Sequence, residues 1–137
     1  MTRFVIDAPV ALRLIRESRD RGSDIVGVGH RLIVPSSLRS EVLSMLYCEV
    51  RSGRLDEPTA RQELGGLASL TVRLLGDRVS RATAWTIATE LGLEQIALAE
   101  YVAVAVLQAD ALVTENDALS AAAQGLVPLA TWNDLTH

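Results

Sequence analysis

Short apolar segments alternate with longer amphipathic segments along the chain, and this alternation limits the folds that it can adopt. The short segments are typical of buried strands, and they cover residues 4–7, 31–35, 71–75, 111–114 and 126–130. The longer segments are predicted to be helices, and they cover residues 10–21, 38–50, 80–91 and 94–108, with one more beginning at Asp56. This order favours an α/β fold in which helices flank a mostly parallel central sheet, as one domain over residues 1–137.

Composition excludes several classes of protein. The 137-residue chain is 49% hydrophobic and 22% charged, which fits a folded domain with a core rather than a disordered segment. Its single cysteine, Cys48, excludes an intramolecular disulfide, and its two histidines argue against histidine-centred chemistry. The longest uncharged run, residues 118–133, is shorter than the roughly 20 residues that a membrane helix needs. We therefore expect a cytoplasmic protein with no membrane segment.

Charge is distributed unevenly along the chain. All 13 basic residues are arginines, and they lie between Arg3 and Arg81. Residues 1–81 also carry 10 acids, for a net +3, whereas residues 82–137 carry 7 acids and no base, for a net −7. The first part is suited to phosphates and the second concentrates carboxylates. Arginines at 13, 16, 19 and 21 are either a phosphate-facing strip or an ordinary solvated helix face.

Oxygen-bearing side chains are predicted to meet at one edge of the sheet. Asp7 ends the first strand, Glu41 lies early in the helix after the second strand, and Thr114, Asn116 and Asp117 follow the fourth. Ligands of open parallel sheets bind beyond the carboxyl ends of the strands, and a set of oxygens without sulfur or nitrogen suits Mg²⁺ or Mn²⁺. Each residue also has a structural interpretation: Asp7 as a helix cap, Glu41 as a charge at a helix N-terminus, and the last three as turn residues.

Four stretches resemble a known family. They are FVIDAPVAL, PSSLRSEVLSML, RVSRATAWTIATELG and AEYVAVAVLQADALVTENDALSAAAQGLVPLA, and together they run from Phe4 to about Leu129. They are similar to the PIN-domain family, and in particular to the VapC-type toxins of bacterial toxin–antitoxin pairs. The resemblance implies a three-layer PIN-like fold and a Mg²⁺-dependent endoribonuclease that cleaves structured RNA, with Mn²⁺ able to substitute.

The same resemblance implies roles for individual residues. Asp7 and Glu41 take the places of the first two family acids, and Thr114 takes the place of the active-site hydroxyl. Asn116 stands where a fourth acid is usual, and its carbonyl oxygen can still bind a metal or a metal-bound water. The predicted catalytic residues are thus Asp7, Glu41, Thr114 and Asn116. The predicted metal ligands are Asp7, Glu41 and Asn116, with Asp117 assisting.

The third family acid is missing at its usual place. It lies three residues before the tyrosine of the AEYVA stretch, and here that position is Leu98, which has no oxygen. Asp117 and Glu94 are the predicted substitutes, the latter because a helix that includes it places it on the face of Leu98. Glu100, two residues from Leu98, is expected to point elsewhere. Leu98 itself is expected to pack in the core.

The resemblance also implies partners, and the departures leave a second function open. The expected partners are a cognate antitoxin, whose C-terminal segment would bring an arginine to the acids, a structured RNA substrate, and a second copy of the chain in a homodimer. The alternative is a catalytically inactive PIN fold that still binds an antitoxin-like partner or RNA. Leu98 is the feature that favours this alternative.

Overall fold

The computed structural model describes every residue from Met1 to His137. Five strands alternate with seven helices. The strands are β1 (Arg3–Ile6), β2 (Arg31–Pro35), β3 (Arg73–Leu75), β4 (Ala111–Val113) and β5 (Leu129–Ala130). The helices are α1 (Ala8–Arg21), α2 (Leu38–Arg51), α3 (Glu57–Ser69), α4 (Arg78–Leu91), α5 (Ala97–Gln108), α6 (Asp117–Ala123) and α7 (Trp132–Thr136).

The strands form one parallel sheet in the order β3-β2-β1-β4-β5. The chain moves outward from β1 through β2 to β3 and then returns to the other side of β1 to form β4 and β5. Because parallel crossovers are right-handed, this reversal puts α1 to α3 on one face of the sheet and α4 and α5 on the other. Packing agrees, since α1 contacts α2 and α3 while α5 contacts α4 and α6. The predicted three-layer α/β architecture with a parallel central sheet is confirmed.

The core lies on both faces of the central strands. Val5 and Ile6 of β1 and Leu112 of β4 are fully buried, which is why these strands are apolar without alternation. Asp7 is the N-cap of helix α1, and Pro9 lies in its first turn, where the backbone N–H that proline lacks has no partner within the helix. It ends at Gly22, which adopts the left-handed conformation that favours glycine. No helix combines the length and apolar character needed to cross a bilayer.

Several boundaries differ from the sequence prediction. Helix α5 begins at Ala97, three residues later than predicted, and two short helices, α6 and α7, were not predicted. Ser37 stands at the start of α2, where serine is a common helix cap, but its side chain makes no capping hydrogen bond. Its hydroxyl turns instead towards two carboxylates of the candidate site.

An ion network joins the three helices on one face of the sheet. Glu63 of α3 is 1% exposed, and its carboxylate accepts hydrogen bonds from Arg16 at 2.9–3.1 Å and from Arg19 at 3.0 Å. Arg16 also donates to Glu49 of α2 at 2.6 Å. The hydrogen bond that Arg16 donates to Glu63 is the main cause that raises the pKa of Arg16, against the opposing effect of burial. These two arginines therefore tie helices together and do not form a phosphate-facing strip.

Candidate active site

The candidate site lies where the order of the strands reverses, between β1 and β4. Strands β1 and β4 are neighbours in space but come from opposite ends of the chain, and they pair in register from Phe4 with Ala111 to Ile6 with Val113. The next residue on each strand is Asp7 and Thr114, respectively. In open parallel sheets the crevice at such a reversal point, beyond the carboxyl ends of the strands, is where ligands bind. Asp7 and Thr114 are thus brought together, as the sequence predicts.

Asp7 is buried, with 4% of its surface exposed, and both of its oxygens are engaged. Oδ1 accepts a hydrogen bond from the backbone N–H of Val10 at 3.1 Å, which caps α1. Oδ2 accepts a hydrogen bond from the Thr114 hydroxyl. Burial raises the pKa of the Asp7 carboxyl, although both hydrogen bonds act in the opposite direction. The cap interpretation is therefore confirmed for Oδ1, while Oδ2 contacts Thr114 at the carboxyl end of β4.

Glu41 lies half-buried in the first turn of α2. Its Oε2 accepts a hydrogen bond from the hydroxyl of Tyr101 on α5. Its Oε1 lies 3.3 Å from the hydroxyl of Ser37, one helical turn earlier. The contact with Tyr101 fixes this carboxylate between the helix layers at the edge where Asp7 lies.

Glu100 also reaches the site, which corrects the expectation that it points elsewhere. Its Oε2 lies 3.3 Å from the Ser37 hydroxyl, the same atom that contacts Glu41. A hydroxyl has one proton, so Ser37 cannot donate to both carboxylates at once. Two carboxylates thus share a single donor, and at least one oxygen of the pair lacks a hydrogen-bond partner at any moment.

Helix geometry explains why Glu100 and not its neighbours is found here. Leu98 is half-buried and packs against the core, as predicted. Glu94 is exposed and precedes the start of α5, so the helical spacing that made it a substitute for Leu98 does not exist. Glu100 and Val104, one turn apart, line the same small cavity at the carboxyl ends of β2 and β3.

The charges of three carboxylates converge on one tyrosine. Burial raises the pKa of Tyr101 most strongly, followed by the hydrogen bond to Glu41 and then by the charges of Glu41, Asp7 and Glu100. None of these three acids forms an ion pair, since the ion pairs of the chain involve other residues. We call Asp7, Glu41 and Glu100 the acidic cluster. It is a local excess of negative charge in which no carboxylate is paired with a basic side chain.

The loop after β4 carries the remaining predicted residues. The Thr114 hydroxyl, while donating to Asp7, accepts a hydrogen bond from the backbone N–H of Asn116 at 3.0 Å. The side-chain oxygen of Asn116 accepts from Leu119 N at 3.1 Å and caps α6. This is the turn chemistry that the sequence allowed, and the metal-binding role of Asn116 stays a prediction that needs the second lone pair of its carbonyl. Asp117 is exposed at the first position of α6, and its assisting role is likewise untested.

An arginine holds the outer side of this loop. Arg13 of α1 donates to Glu115 at 2.6 Å and to Glu17 at 2.8 Å, and its guanidinium lies 3.9 Å from the ring centroid of Trp132. The charge of Glu115 raises the pKa of Asp7 slightly further, after the effect of burial. Arg13 therefore neutralises Glu115 at the rim while leaving Asp7 without a cation.

The donor set has the chemistry that a hard divalent cation requires. All the side chains offered are oxygens, and Mg²⁺ commonly binds through one or two carboxylates while retaining several waters. As the side chains stand, no three acids, histidines or cysteines converge closely enough to coordinate one ion. Asp7, Glu41 and Glu100 are the carboxylates that would hold Mg²⁺, together with the waters that this ion commonly retains.

Three residues of the site were not predicted: Ser37, Tyr101 and Glu100. A signal for the last was present in the sequence, because Glu100 is the only charged residue within the helix Ala97–Gln108. A charge in an otherwise apolar helix is costly to bury unless it faces a polar site. Ser37 and Tyr101 carried no comparable signal.

Comparisons with known proteins support the fold. No protein-family model and no curated protein matches the sequence. The chain is similar to the crystal structure of PAE2754 from Pyrobaculum aerophilum, with a TM-score of 0.69 and 23% identity over 93% of this chain and 90% of that one. It is also similar to VapBC2 from Rickettsia felis, solved with a DNA fragment from its promoter, with a TM-score of 0.61 and 14% identity over 95% and 98% of the two chains. These likenesses show that the chain has a PIN-like fold.

Proposed function

We propose that the chain is a VapC-like toxin, a metal-dependent endoribonuclease that cleaves structured RNA. The observation that carries this proposal is the acidic cluster. Its three carboxylates form no ion pair, and they lie near the carboxyl ends of the strands, where the strand order reverses. The structural likeness to VapBC2 supports the toxin assignment. Glu100 supplies the third acid that Leu98 does not.

The chain's own groups would orient the acids. Bound Mg²⁺ would activate a water molecule and stabilise negative charge on the scissile phosphate. The Thr114 hydroxyl holds Asp7 at its Oδ2, and the Tyr101 hydroxyl holds Glu41 at its Oε2. The Ser37 hydroxyl can donate to only one of Glu41 and Glu100 at a time, so the other carboxylate oxygen would be available to a cation.

The test is cleavage of total RNA with Mn²⁺ by the chain purified without a partner. Asp7→Asn should abolish cleavage, because the amide keeps a side-chain oxygen for the cap but loses the negative charge. Asp56→Asn is the matched control, since Asp56 caps α3 in the same way and makes no contact with the acidic cluster. Equal activity of the parent and Asp7→Asn would refute the assignment of the site.

We further propose that the toxin forms a homodimer and is neutralised by a cognate antitoxin. An arginine of the antitoxin would supply the ion-pair partner that the three acids do not have within the chain. Exposed apolar side chains support partner binding, with Tyr47 of α2 67% exposed and Trp85 of α4 70% exposed. Light scattering of the isolated chain tests the dimer. A monomer at micromolar concentration would count against it.

One observation favours a second function, an inactive PIN fold that binds RNA or a partner without cleavage. No three acidic side chains converge on one coordination point. Calorimetric titration with Mn²⁺ separates the two functions. An inactive module gives no binding at millimolar Mn²⁺ in a folded chain, whereas the nuclease gives binding that Asp7→Asn weakens.

A further inference from the structure

A small cavity adjoins the acidic cluster at the carboxyl ends of β2 and β3. Its volume is about 130 Å³, and Ser36, Gly76, Arg81 and Glu100 are among the residues that line it. Glu100 belongs to both the cavity and the acidic cluster, so the two are continuous. Pockets for drug-sized ligands have roughly 300–1,000 Å³. This cavity therefore fits one charged group of a longer substrate rather than a whole small molecule.

The cavity is also lined by an arginine that a backbone carbonyl holds in place. Arg81, in the first turn of α4, donates a hydrogen bond from Nη1 to the carbonyl oxygen of Gly76 at 2.8 Å. Arg81 and Glu100 line the same cavity but form no ion pair. The remaining guanidinium donors of Arg81 make no hydrogen bond within the chain, so they are available to an anion.

Gly76 keeps a hydroxyl close to this cation. A Cβ atom at position 76 would lie 2.4 Å from the Ser36 Oγ, closer than real contacts allow. The absence of a side chain at Gly76 thus lets Ser36 approach the turn that binds Arg81. The Ser36 hydroxyl makes no side-chain hydrogen bond within the chain and adds a neutral donor to the cavity.

We propose that this cavity binds an RNA phosphate adjacent to the scissile one, through the guanidinium of Arg81 and the hydroxyl of Ser36. The inference rests on the proposed nuclease function and names a substrate-binding residue for it. An occupant has to suit both a cation, Arg81, and an acid, Glu100, which line the cavity without forming an ion pair. A phosphodiester next to a bound metal ion would meet this requirement, since Arg81 would pair with the phosphate and Glu100 would help to hold the metal. Guanidinium groups suit phosphate because their donors form a planar fork.

The test measures binding separately from cleavage. Asp7→Asn serves as the background, and the probe is bulk tRNA with a fluorescent label, followed by anisotropy over a range of salt concentrations. Adding Arg81→Gln should weaken binding about tenfold and lower the slope of log affinity against log salt by about 1. Arg78→Gln is the matched control, because it removes an equal charge from the same turn of α4, and Arg78 does not line the cavity. It should change affinity by less than about twofold.

A second variant tests the cavity without changing charge. Gly76→Ala places its Cβ against Ser36 and should weaken tRNA binding while leaving the salt slope unchanged. Equal effects of Arg81→Gln and Arg78→Gln would overturn the subsite, since the loss would then be general electrostatics. If the parent cleaves RNA and Arg81→Gln binds tRNA normally, the subsite alone is wrong. If the Asp7→Asn background does not bind tRNA and the parent does not cleave, both proposals are wrong.

Discussion

Replacing Glu63 with glutamine should destabilise the fold strongly, although this residue is not part of the acidic cluster. The Glu63 carboxylate accepts four contacts of 2.9–3.1 Å from Arg16 and Arg19 while only 1% of its side chain is exposed. Glutamine has the same shape but offers one oxygen, and its NH₂ group then faces guanidinium donors. The substitution removes the charge and at least half of these hydrogen bonds.

The expected loss follows from the degree of burial. Removing one partner of a buried ion pair costs about 3–5 kcal/mol because a buried charge is left uncompensated. Arg16 is 33% exposed and keeps its 2.6 Å contact with Glu49, so it is not left alone. Arg19 is 40% exposed, so no buried charge is left uncompensated, and the loss should lie below that range, at about 2 kcal/mol in the free energy of unfolding.

Urea unfolding followed by circular dichroism measures this difference, and a second glutamate on α3 provides the control. Glu57 pairs with Arg61 at 3.0 Å, but both side chains are mostly exposed, at 66% and 75%. Such a pair contributes less than about 0.5 kcal/mol, so Glu57→Gln should be nearly neutral. Equal losses for Glu63→Gln and Glu57→Gln would refute the reasoning from burial.

Three more predictions concern the acidic cluster. Asp7→Asn should stabilise the fold at pH 7 but not at pH 3, as measured by urea unfolding. Burial raises the pKa of Asp7 above its ordinary 3.8, so the parent loses stability as the pH rises above that value. Asparagine does not titrate, so the variant does not have this loss. A gain of the same size at both pH values would show that ionisation is not its cause. Glu100→Gln should abolish Mn²⁺-dependent RNA cleavage, whereas Glu94→Gln, in the exposed turn before α5, should leave it unchanged; normal activity of Glu100→Gln would remove it from the site. Tyr101→Phe should lower Mn²⁺ affinity about 10–100-fold in calorimetric titration, because groups that orient a metal ligand have effects of that size, and unaltered affinity would contradict its positioning role.

The meeting of Asp7 and Thr114 could be predicted because it depends only on strand order and register. Each residue directly follows an apolar segment, and parallel strands end at a common edge. The position of Glu41 near the same edge could be predicted in a similar way, because a residue in the first turn of the helix after β2 stays near the end of that strand. These inferences need no knowledge of how a helix is rotated about its own axis.

The position of Glu100 could not be predicted by that route. Helix α5 is apolar on all sides apart from Glu100, and its buried residues are Ala99 and the run 101–105, so its sequence gives no single hydrophobic face from which to fix its rotation. Counting three residues back from Tyr101 leads to Leu98, which packs in the core. Only contacts between layers decide that Glu100 faces the Ser37 hydroxyl.

The contrast between the two buried acids is the strongest physical argument that the acidic cluster is functional. Glu63 and Asp7 are 1% and 4% exposed, and they are the only buried acids in the chain. Glu63 is paired with two arginines, as a buried charge normally is. Asp7 is paired with no arginine. Arg13, on the helix that follows Asp7, forms its ion pair instead with Glu115 in the loop after β4. A fold that compensates one buried carboxylate and leaves the other without a cation retains an unfavourable charge at the sheet edge, and such perturbed groups in a crevice are typical of sites that act on a ligand. If the positive charge comes from a bound metal ion, Mn²⁺ should raise the thermal stability of the parent and have no such effect on Asp7→Asn.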